Sequence, residues 1–147
     1  MTDQSAPALK DIFNLERLQH IASEMTAVYP AFDAKGFLQH AKAGLAELSV
    51  MQRVARVSES LHAVIPLDYA QTLKLLYALA PRLNSGFVSL CLPHYVASYG
   101  LADFTRSMAA LKYFTPFGSA EFAIRPFLLH DFERTLAVMQ TLSLIHI

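Results

Sequence analysis

The hexapeptide DYAQTL, residues 68–73, returns as DFTRSM at 103–108 and as DFERTL at 131–136. A looser copy, DAKGFL, begins at Asp33. The three full copies share an aspartate, an aromatic residue, two variable positions, a small hydroxyl or its equivalent, and an apolar residue. The four aspartates are spaced at 35, 35 and 28 positions. An aspartate ahead of an apolar helical pattern accepts hydrogen bonds from the free N–H groups of the first turn, so each copy reads as the start of a helix. Pro30, Pro66 and Gly100 precede three of these caps, where an earlier helix must stop. The aromatic and apolar residues of each copy are then expected to face the preceding helix. Each unit becomes a pair of antiparallel helices, and pairs recurring at this spacing indicate an all-α fold, an α-solenoid of HEAT-like repeats. The competing reading is a non-repetitive helical bundle whose caps coincide by chance. The regular spacing favours the solenoid.

The period elsewhere is helical too. Val50, Val54, Val57, Leu61 and Val64 step by four and three, the stripe of a core-facing helix. Arg53, Arg56, Ser60 and His62 fall off it. Leu15, Leu18, Ile21, Ala22, Met25 and Val28 form a second stripe, entered from Asn14 as N-cap. Helices are expected over 14–29, 34–48, 50–64, 68–82, 88–99, 103–115, 119–130 and 131–142. No segment alternates as a half-buried strand would. The domain reading is one helical-repeat domain over 1–141, incomplete at its C-terminal end. Residues 142–147, LSLIHI, are expected to be a non-native tail, since a terminal repeat needs a polar outer face.

Apolar residues make up 54% of the 147-residue chain and charged ones 16%, so a core is not short of material. An apolar surplus of this size also points to surface meant for more protein, and self-association through the uncapped last repeat is an expectation. Acids and bases balance, with a slight acidic excess before residue 50 and a slight basic excess after it. That is far from the footprint of a strongly basic nucleic-acid binder. The single Cys91 rules out an internal disulfide and fits a reducing, cytoplasmic compartment. The opening MTDQSAPALK has no apolar core of a secretory signal. Residues 83–102 carry no charge, but Asn84, Ser85, Gly86, Pro93, His94 and Gly100 interrupt them. A buried helix with loops is expected there, and no membrane partner.

No pair among His20, His40, His62, His94, His130 and His146 has helical metal-ligand spacing, so no metal site is expected. Gly-rich phosphate loops and nucleophile motifs are absent as well. Glu121 and Arg125 remain, four residues apart. On pattern alone a structural role is favoured: Ser119 can cap a helix, Glu121 falls at its positive end, and the order Glu then Arg suits an exposed pair. Against it stand the apolar neighbours Phe117, Phe122, Ala123, Ile124, Phe127 and Leu128. Pro126 is expected to kink the helix.

The run LKYFTPFGSAEFAIRPF, residues 111–127, closely resembles a signature of the DNA alkylation repair family, and within it the AlkC-type alkylpurine DNA glycosylases. The likeness continues through DFERTLAVM at 131–139, and more loosely through YPAFD at 29–33 and YGL at 99–101. The resemblance covers most of residues 8–141. It implies HEAT-like repeats, alkylated double-stranded DNA as partner, and hydrolysis of the N-glycosidic bond of cationic bases such as 3-methyladenine. It implies no metal or redox cofactor. Glu121 is then the candidate catalytic carboxylate, and Arg125 would orient it or hold a phosphate. Lys112 and Arg106 are candidate backbone contacts. The family carries a tryptophan near position 142 and a basic segment beyond, and this chain has neither. The segment alone is therefore expected to be inactive. The alternative is a helical-repeat interaction scaffold without catalysis.

Overall fold

The computed structural model describes residues 13–83, 87–118 and 121–141. Within them the regular structure is helical: α1 (Leu15–Val28), α2 (Ala34–Lys42), α3 (Val50–Val64), α4 (Tyr69–Leu79), α5 (Cys91–Tyr99), α6 (Phe104–Phe114), α7 (Glu121–His130) and α8 (Phe132–Thr141), with short 3-10 turns between some of them. All four aspartates cap as their positions require. Asp33 accepts from the Gly36 amide, Asp68 from Gln71, Asp103 from Arg106 and Asp131 from Arg134. Asn14 caps α1, and Ser49 opens α3 in a reciprocal capping box with Gln52.

Helix α3 packs against α2 and α5, and α5 packs against α7. Helix α4 packs against α1 and α6. The contacts therefore run between alternate helices in two layers, α2–α3–α5–α7 in one and α1–α4–α6 in the other. Pairs α5–α6 and α7–α8 join the layers, and the Arg134 guanidinium of α8 lies 4.0 Å above the Phe104 ring of α6. Stacking of alternate helices is how a solenoid grows, each pair burying its apolar stripe against the next. The first pair runs in the opposite order, with α2 continuing directly into α3 within one layer. Phe13, Phe37, Phe114 and Phe127 are fully buried in the shared core with Leu18, Ile21, Leu61, Leu76, Leu92 and Leu111. Each such side chain contributes roughly 1.5–3 kcal/mol of transfer free energy.

The hydroxyl of the repeated hexapeptide ties α6 to the end of α5 and α8 to α7. Ser107 Oγ donates to the Gly100 carbonyl at 2.7 Å, and Thr135 Oγ1 to the Phe127 carbonyl at 2.9 Å. Thr72 makes a longer bond, 3.4 Å, to the Leu67 carbonyl. All three residues are fully buried. The aromatic position behaves less uniformly. Tyr69 and Phe104 pack on the core, while Phe132 is 60% exposed.

One boundary differs clearly from expectation. Helix α2 ends at Lys42 rather than 48, because Gly44 takes φ +64° and a 3-10 turn, Leu45–Glu47, follows. Arg53, off the apolar stripe of α3, is buried at this break. It donates to the carbonyls of Leu48, Leu45 and Phe13. Ser60 is buried too, bonded to the Arg56 carbonyl and to His40 Nδ1. Flanking helices on two sides widen the buried arc of α3 beyond its apolar stripe. Helix α7 continues through Pro126 as one element. No helix among the described residues is long and apolar enough to cross a membrane, and the uncharged 83–102 stretch instead contains α5.

Candidate functional site

Helix α7 lies beside α5 and antiparallel to α8, held by Ala123, Ile124 and Phe127, all buried. Phe122 and Leu128 are half-buried, while Arg125 and Leu129 are exposed, Leu129 at 88%. Position 121 is the first residue of α7, one turn before Arg125. The side chain of Glu121, and Ser119 with its expected cap, lie outside what the structure describes.

The cations assigned from the sequence do not converge. Arg125 stands on the α3–α5–α7 layer, whereas Arg106 and Lys112 belong to α6 in the other. Arg106 is engaged, its guanidinium 2.7 Å from the Asp103 carboxylate. That bond holds the Asp103 carboxyl below the usual carboxylate range and raises the Arg106 pKa. Arg134 repeats the arrangement with Asp131 at 3.4 Å. Lys112 is exposed on the rim of an open groove of about 630 Å³, lined also by Tyr77, Ala109, Tyr113, Pro116 and Phe117. Along the groove wall the Tyr77 and Tyr113 rings stack at 4.5 Å, and the Tyr113 hydroxyl donates to the Tyr77 carbonyl. No group of three or more His, Cys, Asp or Glu side chains among the described residues is arranged to hold a metal.

No sequence motif gives His94 a role in the site. This residue of α5 faces Phe122 of α7 and feels the Glu59 carboxylate of α3. Its ring centroid is 6.2 Å from that of Phe122, and its Nδ1 is 3.2 Å from Ser98 Oγ. Burial lowers its pKa, outweighing the nearby Glu59 carboxylate, which acts to raise it. The i,i+4 pair of His94 and Ser98 was visible in the sequence, but the helix that Phe122 belongs to was not readable as its neighbour.

Stacked helix pairs with an acid-led helix in one layer define a HEAT-like helical-repeat protein. No family model matches the chain. The uncharacterized protein YhaZ of Bacillus subtilis (strain 168) is 36% identical over 130 residues, covering 88% of this chain and 36% of that protein. A solved structure, Pseudomonas fluorescens alkylpurine DNA glycosylase AlkC bound to DNA containing an abasic site analog, is 90% identical with a TM-score of 0.90. That match covers 92% of this chain and 38% of that one. Over nearly its whole length the chain is thus similar to an AlkC-type alkylpurine DNA glycosylase. It spans little more than a third of the length of either relative.

Proposed function

We propose that this chain is part of a monofunctional DNA glycosylase that removes cationic alkylated bases, such as 3-methyladenine, from double-stranded DNA. The observation that carries the reading is the 90% identity to AlkC over nearly the whole chain, with the fold retained. A cytoplasmic site of action goes with it. An N3-alkylated purine already carries positive charge and leaves readily. As the glycosidic bond lengthens, the charge passes to the sugar, as in glycoside hydrolysis. A fixed carboxylate beside that sugar stabilises the developing cation and orients the attacking water. Glu121 takes this role, and the chemistry calls for no metal or redox centre. Arg125, one turn on, holds the acid or a flanking phosphate. Lys112 is free to contact a backbone phosphate, while Arg106 must first leave Asp103.

The test uses the full-length protein read from the native frame, with this 147-residue segment alone as the second arm. Release of 3-methyladenine from methylated DNA is expected from the former and not from the segment. Glu121→Gln should slow release by about 10²–10³-fold, the scale of losing one transition-state electrostatic contact. Release unchanged by that substitution removes Glu121 from the mechanism.

One observation favours the second reading, a non-catalytic scaffold that binds protein or associates with itself. Leu129 and Phe132 are both strongly exposed at the α7–α8 turn. Salt separates the two readings. Several phosphate contacts make DNA affinity fall steeply as salt rises, and a scaffold shows little such slope.

A further inference from the structure

The first turn of α7 is weaker than a helix start need be. In an α-helix the carbonyl of residue 122 is served by the N–H of residue 126, and Pro126 has none. The Phe122 carbonyl therefore loses its intrahelical partner one residue after position 121. With that bond missing, the turn depends on how its side chains are seated.

Phe122 is the side chain that reaches across to α5, where it meets the His94 ring with planes 29° apart. His94 is held from behind. Ser98, one turn further along α5, fixes Nδ1, and α5 itself is anchored by Cys91, Leu92 and Val96, all fully buried. Burial keeps the imidazole neutral near pH 7, so it meets Phe122 as an aromatic face. Among the described residues Nε2 has no hydrogen-bond partner, so the ring is oriented from one side only.

We infer that His94 is a positioning residue: through the Phe122 ring it braces the first turn of α7 and so sets where position 121 stands. This rests on the proposed role of Glu121 as the acid. The brace itself is a property of two packed helices and can be read without any activity. In this role His94 acts through Phe122, and its part is to hold the helix that carries the acid.

Two measurements on the full-length protein test this together. Hydrogen exchange of the Arg125 and Phe127 amides reports on the start of α7, with the Leu111 amide of α6 as internal control. His94→Ala should speed exchange at Arg125 and Phe127 by about tenfold and leave Leu111 unchanged. It should also lower kcat for base release by about tenfold, with KM for DNA within about twofold. His94→Phe restores the ring without its nitrogens and should recover most of both losses. Unchanged α7 exchange in His94→Ala overturns the inference. So does a uniform speeding of α6 and α7, or a His94→Phe variant as defective as His94→Ala. If α7 exchange responds to His94 as expected while Glu121→Gln leaves base release intact, the brace stands and the assignment of the acid fails.

Discussion

Gly100 shows how closely one residue can be constrained without any unusual backbone angle. It ends α5 at φ −114°, which any residue could adopt. A Cβ placed there would run into the Tyr69 hydroxyl and the Ser107 Oγ. Those two atoms form a buried knot. Ser107 gives its proton to the Gly100 carbonyl, so the Tyr69 hydroxyl donates to Ser107 at 2.8 Å. Gly100→Ala must therefore break the knot or push α4 from α6. It is expected to destabilise the fold by about 2–4 kcal/mol, read as a lower urea midpoint with unchanged slope. A midpoint equal to the parent's would show that the knot can yield freely. Only half of this was legible beforehand. Gly100 was visible as a helix terminator, but its contact with Tyr69 joins residues 31 positions apart that no local pattern connects.

At the scale of the element, the caps were fully readable and the breaks were not. Asp33, Asp68, Asp103 and Asp131 announce helix starts because a cap is satisfied within four residues of itself. Arg53 is the opposite case. Its charge and its place off the valine stripe suggested a solvent-facing residue, yet it fills the gap left where α2 stops short. Three carbonyls, Phe13 ahead of α1, Leu45 in the 3-10 turn and Leu48 at its end, converge on its one guanidinium. Arg53→Met keeps the stem but removes the donor from the Phe13 and Leu48 carbonyls, while Leu45 keeps its bond from the Leu48 amide. The expected loss is about 2–4 kcal/mol in urea unfolding. Arg53→Lys should recover little of it, because an ammonium lacks the planar fork that reaches several acceptors at once. Full recovery by lysine would mean that charge, not geometry, is what the break requires.

Across the whole molecule the buried aromatic network predicts alkaline sensitivity. Burial pushes the Tyr69 phenol up from 10.0 to about 12, and the Cys91 thiol from 9.0 to about 12. Tyr77, Tyr95 and Tyr99 shift upward for the same first reason. The folded state thus keeps protons that the unfolded chain releases. Stability from these groups is intact below pH 9, begins to fall as Cys91 and then the tyrosines would ionise in the unfolded chain, and is lost by about pH 12. Urea midpoints taken from pH 7 to 11 should decline above pH 9, and less steeply in Tyr69→Phe. A flat profile to pH 11 would contradict the burial of these groups.

The sequence by itself determined that the chain is helical, where most helices begin, and that pairs repeat at a near-constant interval. Each of those properties is local, set by caps, stripes and breakers within a turn or two. It also carried the SAEFAIRPF run, with Glu121 and Arg125, on which the resemblance to the DNA alkylation repair family rests. Only the tertiary structure decided which helices are neighbours. It set Arg125 and Lys112 in different layers, buried Arg53 and Ser60, and brought His94 to Phe122. The physical reason is that stacking joins alternate helices. The contacts that shape the start of α7 therefore come from residues nearly thirty positions away, on a face that periodicity marks as buried without naming its partner.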